Sequence, residues 1–265
     1  MNQEIVRVLV VGATGSVGRL VVAAALSEGY AVRALVRNVR QARSILPAQT
    51  ELLGGDLTLP LSLQAAVAEV DAIVFTHGSH GMRGSSGEEI DYGGVRNTLL
   101  ALDGRCVRVA LMTAIGVTKR EDARMGKLET HDWKRRAERL LRASGCPYTI
   151  VRPGWFDGNA PDQHQLVLLQ GDRRWAGDPS DGVVAREQIA QTLVRSLSLP
   201  SAVGKTFELV AERGEASRGF DTLFTALLSD EPDGLDAVAD LDNMPLISEP
   251  LWVREELERF RKAHD

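Results

Sequence analysis

The chain has 265 residues, 44% hydrophobic and 25% charged, which suits one soluble α/β domain with modest additions and excludes the disordered and fibrous classes. Thirty-one Lys and Arg against 36 Asp and Glu leave a formal net charge of −5, so the balance gives no reason to expect a nucleic-acid or anionic-membrane partner. Cys106 and Cys146 lie far apart with no metal-ligand spacing, and read as two packed thiols of a reducing compartment rather than a redox pair. The N-terminal apolar run ends at a glycine loop and has neither a basic leader nor a spanning length, so the expected location is the cytoplasm.

In chain order, Val6 to Val11 is a β-branched run with the pattern of a buried parallel strand. Arg19 to Ser27 is an alanine-rich helix ended by Gly29. Ala31 to Val36 is a second strand, and Val39 to Leu46 a short helix stopped before Pro47. Glu51 to Leu53 is a third strand, and Pro60 opens a helix running to Glu69. Ala72 to Phe75 is the fourth strand. Thr76 to Gly87 is a glycine- and serine-rich loop, followed by a helix through Val95 and Leu102. Val107 to Met112, the charged amphipathic helix Thr130 to Ala143, and Tyr148 to Val151 complete the regular half. Strand alternating with helix at this spacing predicts a Rossmann-type, doubly wound parallel sheet.

The second half is less regular. Leu166 to Leu169 and Arg174 to Ala176 flank Gly171-Asp172, a hairpin signal. Glu187 to Ser198 reads as a helix, Thr206 to Val210 as a strand, and Phe220 to Leu228 and Trp252 to Lys262 as helices. Ser229 to Pro250, acidic and proline-containing, reads as a loop over the body of the fold. The whole, 1–265, is expected to be one α/β domain in which 155–265 supplies a small, irregular substrate-side region and the C-terminal tail.

Gly12-x-x-Gly15-x-x-Gly18 leaves a strand and opens a helix, the context in which a glycine pattern signals a diphosphate cradle. Gly12 permits the turn, Gly15 lets a pyrophosphate approach the backbone, and Gly18 lets the helix pack on the strand. Thr14 lies within the loop, and the amides of Ser16 and Val17 belong at the helix N-terminus, where orphan donors favour an anion. The second strand ends at Arg37, where an acid would select NAD through the ribose 2′-hydroxyl. A guanidinium there selects NADP(H) through the 2′-phosphate, with Arg33 on the same strand as a second cation.

The GATGSVG loop, the ALVRN strand end, Gly55-Asp56-Leu57, Val70-Asp71-Ala72-Ile73-Val74, Asp91-Tyr92-x-Gly94-x-x-Asn97, Ala137-Glu138-x-Leu140-x-x-Ala143-Ser144-Gly145 and Tyr148-Thr149-Ile150-Val151-Arg152-Pro153-Gly154 follow in order. As a set they resemble the atypical, NmrA-like branch of the short-chain dehydrogenase/reductase superfamily, over roughly residues 5–210. The resemblance implies that Asp56 and Leu57 meet the adenine end of the cofactor and that Thr76, His77 and Gly78 pass alongside it. It also implies that Thr113 lies near the nicotinamide, that Lys134 bonds the nicotinamide ribose, and that Pro153, Gly154 and Trp155 touch the nicotinamide. Active members carry a tyrosine four residues before that lysine; here the position is Thr130, which cannot act as the tyrosine's general acid.

His131, one helical turn before Lys134, is the candidate substitute acid, with His77 or a water as alternatives; His77 and His80 lie in the loop after the fourth strand, at the ligand-binding edge of the sheet. Arg135, Arg139 and Arg142 read as a solvated helix face. Trp155, Phe156 and Trp175 offer aromatic surface for a flat apolar pocket. The expected function is NADP(H)-dependent oxidoreduction of a small organic molecule, with Lys134, Thr113 and His131 at the catalytic end and no metal. A non-catalytic NADP(H) sensor is the alternative, a sugar-nucleotide epimerase a weaker third reading, and a homodimer remains open.

Overall fold

The computed structural model describes residues 5–79, 86–120, 128–217 and 219–262, so His80 lies outside the described residues. The elements run β1 (Arg7–Val11), α1 (Gly18–Ser27), β2 (Ala31–Val36), α2 (Val39–Ala42), β3 (Glu51–Gly54), a 3₁₀ turn Pro60–Leu63 leading into α3 (Gln64–Val67), and β4 (Ala72–Phe75). A π-helical turn Glu88–Tyr92 precedes α4 (Gly93–Ala101), followed by β5 (Arg108–Met112), α5 (Leu128–Ala143) and β6 (Tyr148–Pro153). Then come β7 (Trp155–Phe156), β8 (Gln165–Leu169), β9 (Val183–Val184), α6 (Arg186–Ser198), β10 (Lys205–Glu212), α7 (Phe220–Thr225) and α8 (Leu251–Lys262).

The sheet order is β3-β2-β1-β4-β5-β6-β10-β9-β7, with β8 also on β10. From β3 through β10 neighbouring strands are parallel, while β8 and β9 join β10 antiparallel. Strand side chains alternate between faces, so Val8 and Val10 enter the core that contains Val21, Val22, Ile189 and Leu193 of α1 and α6. Leu9 and Val11 enter the opposite core, with Val67, Leu99, Leu140 and Leu257 from α3, α4, α5 and α8. A strand covered on both faces needs apolar residues at every position, hence the run at β1.

Three expectations need correction. The predicted hairpin is absent: β8 pairs with β10, and Asp172 turns inward so that its carboxylate accepts the Gly116 and Thr118 amides at 2.6 and 2.7 Å. The helix predicted to Leu46 ends at Ala42 and continues as separate turns.

The third correction concerns the α5 arginines. Arg135, Arg139 and Arg142 are 0%, 2% and 7% exposed, not solvated. The acidic segment before α8 covers them. Asp236 receives Arg135 Nε at 3.0 Å and Arg139 Nη2 at 2.6 Å, Glu249 receives Arg136 Nε at 2.5 Å, and Asp230 receives Arg142 Nε at 3.2 Å. Beneath them Arg152 bridges Glu138 at 2.6 Å and Asp240 at 2.7 Å, all three side chains at 0% exposure. Despite burial, the neighbouring guanidinium groups hold Asp236 and Asp240 below the usual carboxylate range.

The cysteines, expected as two packed thiols, are both free, Cys146 buried and Cys106 exposed. Their sulfurs lie 3.0 Å apart, because β5 and β6 are neighbours and the loops leading into them meet.

Candidate functional site

The carboxyl ends of the parallel strands open into one cleft of about 1190 Å³, the position where doubly wound sheets bind ligands. Its floor begins at Gly12, whose φ of +82° no ordinary side chain favours. A Cβ there would lie 2.7 Å from the His77 amide nitrogen. Gly15 donates its amide to the Gly12 carbonyl at 2.9 Å. A Cβ on Gly15 would press on that same carbonyl at 3.1 Å and meet no other atom within 4 Å. Gly18 lies outside the cleft lining: a Cβ there would fall 2.0 Å from the Gly12 carbonyl, so this glycine serves the packing of α1 on the turn. Thr14, Gly15, Ser16 and Val17 line the cleft at the start of α1. This is a backbone cradle with the shape and polarity a diphosphate requires.

At one end the cleft is lined by Val36, Arg37, Asp56, Leu57 and Thr58. Arg37 is exposed at the tip of β2. One oxygen of Asp56 accepts both the Thr58 amide and hydroxyl, at 2.9 and 2.8 Å. These bonds, with Arg37 adding a smaller electrostatic pull, hold its carboxyl below the ordinary value. Arg33 does not join this end. It is buried four residues back along β2, on Glu51 at 2.9 Å and on the carbonyls that close α3.

At the other end lie Thr76, His77, Gly78, Thr113, His131, Lys134, Pro153, Gly154 and Trp155. The DY-x-G-x-x-N motif accounts for much of their arrangement. Asp91, carried by the π-helical turn, ion-pairs with Lys134 and accepts the Ser79 hydroxyl. The Lys134 ammonium is thus held by one of its three donors and keeps others for the cleft. A Cβ on Gly94 would sit 2.7 Å from His77 Nε2, so the glycine admits the imidazole. Asn97 donates to the Leu57 carbonyl at 2.6 Å, and the Tyr92 hydroxyl donates to Glu256 at 2.7 Å, away from the cleft.

The possible proton donors are not equivalent. His77 Nε2 lies 2.9 Å from the Ile90 carbonyl, which fixes the proton on that nitrogen. Burial holds its pKa down at about 4 against the opposing pull of Asp91. Thr113 donates its hydroxyl to Glu138 at 2.7 Å, so toward the cleft it presents an acceptor. Tyr30, Tyr92, Tyr148 and Thr130 are not part of the lining; His131 is.

Beyond this second end the cleft continues past Ile115, Gly116, Lys119, Phe156, Arg174 and Trp175. Trp155 and Phe156 are 42% and 37% exposed there. Lys119 donates to the Trp175 carbonyl at 2.7 Å, and Asp181 accepts the Ala176 and Gly177 amides at 2.6 and 2.7 Å, which fixes this rim. Arg186, at the start of α6, was missed by sequence reasoning. Its Nε donates to the Ser16 hydroxyl at 3.0 Å, and its guanidinium lies 5.0 Å over the Phe156 ring and pairs with Asp157. No local motif marks it, because β7 and β9 bring it over the glycine loop from 170 positions away.

Parallel strands wound on both faces, with a glycine cradle at the carboxyl end of β1, define a Rossmann-type dinucleotide-binding protein. The chain belongs to the NAD(P)H-binding family, whose profile matches residues 12–200. It is 29% identical over 209 residues to the photosystem II assembly factor Ycf39 of Cyanophora paradoxa, covering 78% of this chain and 64% of that one. It thus spans less than two thirds of that relative's length. It is also 26% identical over 261 residues to sanguinarine reductase of Eschscholzia californica, covering 82% of this chain and 94% of that protein. A solved Bacillus halodurans structure of the NAD-dependent epimerase/dehydratase kind superposes with a TM-score of 0.68 at 24% identity, over 84% of this chain and all of that one, and supports the fold. Among the described residues no helix is long and apolar enough to cross a membrane.

Proposed function

We propose that the chain is an NADP(H)-dependent oxidoreductase acting on a small organic substrate. The observation that carries this reading is the reach of the cleft. It runs past the residues that would hold a dinucleotide into an aromatic recess at Trp155, Phe156 and Trp175. Its volume of about 1190 Å³ exceeds the roughly 300–1,000 Å³ usual for a single small ligand. In this reading the glycine loop and Arg186 hold the diphosphate, Arg37 holds the 2′-phosphate, and Lys134, set by Asp91, donates to the nicotinamide ribose. The bound nicotinamide supplies hydride chemistry; the protein supplies orientation and exclusion of water. Thr113 orients a polar group as an acceptor, and His131 is the side chain assigned to proton transfer. The reductase name of the Eschscholzia relative agrees with this class of reaction.

A second reading, a non-catalytic NADP(H) sensor, is favoured by one observation: Thr130 replaces the tyrosine and lies outside the cleft lining. The assembly-factor name of the Cyanophora relative is compatible with it. The experiment that separates the two is a screen of NADPH oxidation against quinones, aldehydes and enones, beside calorimetric NADPH binding. Turnover with any of these supports the enzyme. Tight binding with no turnover across the panel overturns it in favour of the sensor.

A further inference from the structure

The sulfurs of Cys106 and Cys146 lie 3.0 Å apart, about 1 Å beyond the bonded S–S length of about 2.05 Å. The pair sits at the amino ends of β5 and β6, whose parallel register aligns Val109 with Tyr148. Both flanking turns are fixed by left-handed residues, Asp103 at φ +51° and Gly104 at +79° on one side, Gly145 at +64° on the other. Cys106 is an exposed residue and Cys146 a buried one, and the contact between their sulfurs is part-buried. Among the described residues no group of three or more His, Cys, Asp or Glu side chains is placed to hold a metal, which leaves thiol chemistry for this pair.

We propose that Cys106 and Cys146 are an intramolecular disulfide site, closed by a peroxide. Cys106 sulfur attacks the peroxide oxygen; the O–O bond breaks, a sulfenic acid forms on Cys106, and one water leaves. Cys146 sulfur then attacks the Cys106 sulfur, the S–S bond forms, the S–O bond breaks, and hydroxide leaves with the Cys146 proton as a second water. Two thiols lose two electrons and two protons, and the peroxide is reduced to two waters. Desolvation, reinforced by the adjoining Cys146, pushes the Cys106 thiol up to about 12. The attacking thiolate is therefore scarce at neutral pH, and closure accelerates as pH rises.

The bond closes the 106–146 loop at the amino edge of the sheet, opposite the glycine cradle. It therefore stabilises the fold and leaves cofactor binding alone. The test treats the intact protein with hydrogen peroxide and maps it by non-reducing peptide mass spectrometry. The expected result is one linked peptide pair joining Cys106 to Cys146 and a midpoint of thermal unfolding roughly 5–15 °C higher, reversed by dithiothreitol. NADPH affinity should stay within twofold. The exposed substitution Cys106→Ser, which retains the fold, should abolish both the linked peptide and the shift. Sulfinic or sulfonic acid on Cys106, or a dimer linked between chains, in place of the internal bond would overturn the proposal.

Discussion

The His77 ring donates from Nε2 to the Ile90 carbonyl at 2.9 Å, and burial keeps its pKa at about 4. The unfolded chain would bind that proton near pH 6.5. Between pH 6.5 and 4 the unfolded state therefore holds more protons than the native one, and this residue's contribution to stability falls as pH falls through that window. NMR should show the His77 ring unchanged from pH 8 to 5; titration with a midpoint near 6.5 would refute its assignment as a neutral, structural imidazole. Arg37 tests the cofactor preference. Calorimetry should find NADPH bound more tightly than NADH, and Arg37→Ala should weaken NADPH by about 1.5–3 kcal/mol with little change for NADH, the loss of a charge-assisted pair. Equal affinity of the unmodified protein for both cofactors would remove the preference.

The turn between β1 and α1 and the face of α5 differ in how far sequence exposes them. The glycine loop is local. Its three glycines, their spacing and the flanking strand and helix are all contained in residues 7–27, so it was legible at once. Gly15→Val should abolish NADPH binding while the far-ultraviolet spectrum persists, because a side chain there enters the cleft and presses on the Gly12 carbonyl of the same turn rather than on a neighbouring element. Undiminished binding would mean the loop is not the diphosphate cradle. The α5 arginines depend on partners about a hundred positions downstream. Helical periodicity places them on a polar face, and a polar face is assigned to water unless something polar covers it. The clue lay in the composition of the segment before α8, whose Asp230, Asp236, Asp240 and Glu249 complement that face. Arg152→Met takes the guanidinium from Asp240, at 0% exposure, and leaves Glu138, also at 0%, with the Thr113 hydroxyl and Arg142 alone. Urea unfolding should show a loss of about 3–5 kcal/mol, the cost of leaving buried charges unpaired, while exposed Glu231→Ala should change stability by less than about 0.5 kcal/mol. A loss under 1 kcal/mol for Arg152→Met would show that the carboxylates find water or protons instead.

Across the whole molecule, strand-helix alternation revealed the sheet because each parallel strand is buried on both faces and carries its own apolar run. The region after β6 was not legible, because two-residue strands and a loop fixed by the Asp181 carboxylate leave no periodicity. The same global arrangement bears on the proposed mechanism. Thr130 begins the described side chains of α5, and its Cα lies 3.1 Å from the point a Cβ on Gly87 would occupy. It packs against the segment that carries Asp91 and does not line the cleft, whereas His131 and Lys134 on the same helix do. Thr130→Ala should therefore leave turnover within roughly tenfold, well short of the 10²–10⁴ lost with a general acid. Lys134→Ala removes the partner of buried Asp91 and the proposed donor to the ribose, so it should weaken NADPH binding and turnover together. His131→Gln should flatten any pH dependence of turnover near neutrality, since its imidazole is the group assigned to proton transfer. These variants are to be measured on a substrate from the NADPH-oxidation screen, with calorimetric binding as a second readout. Collapse of turnover in Thr130→Ala with NADPH affinity intact would place proton transfer at that position. An unaltered pH profile in His131→Gln would take it away from the imidazole.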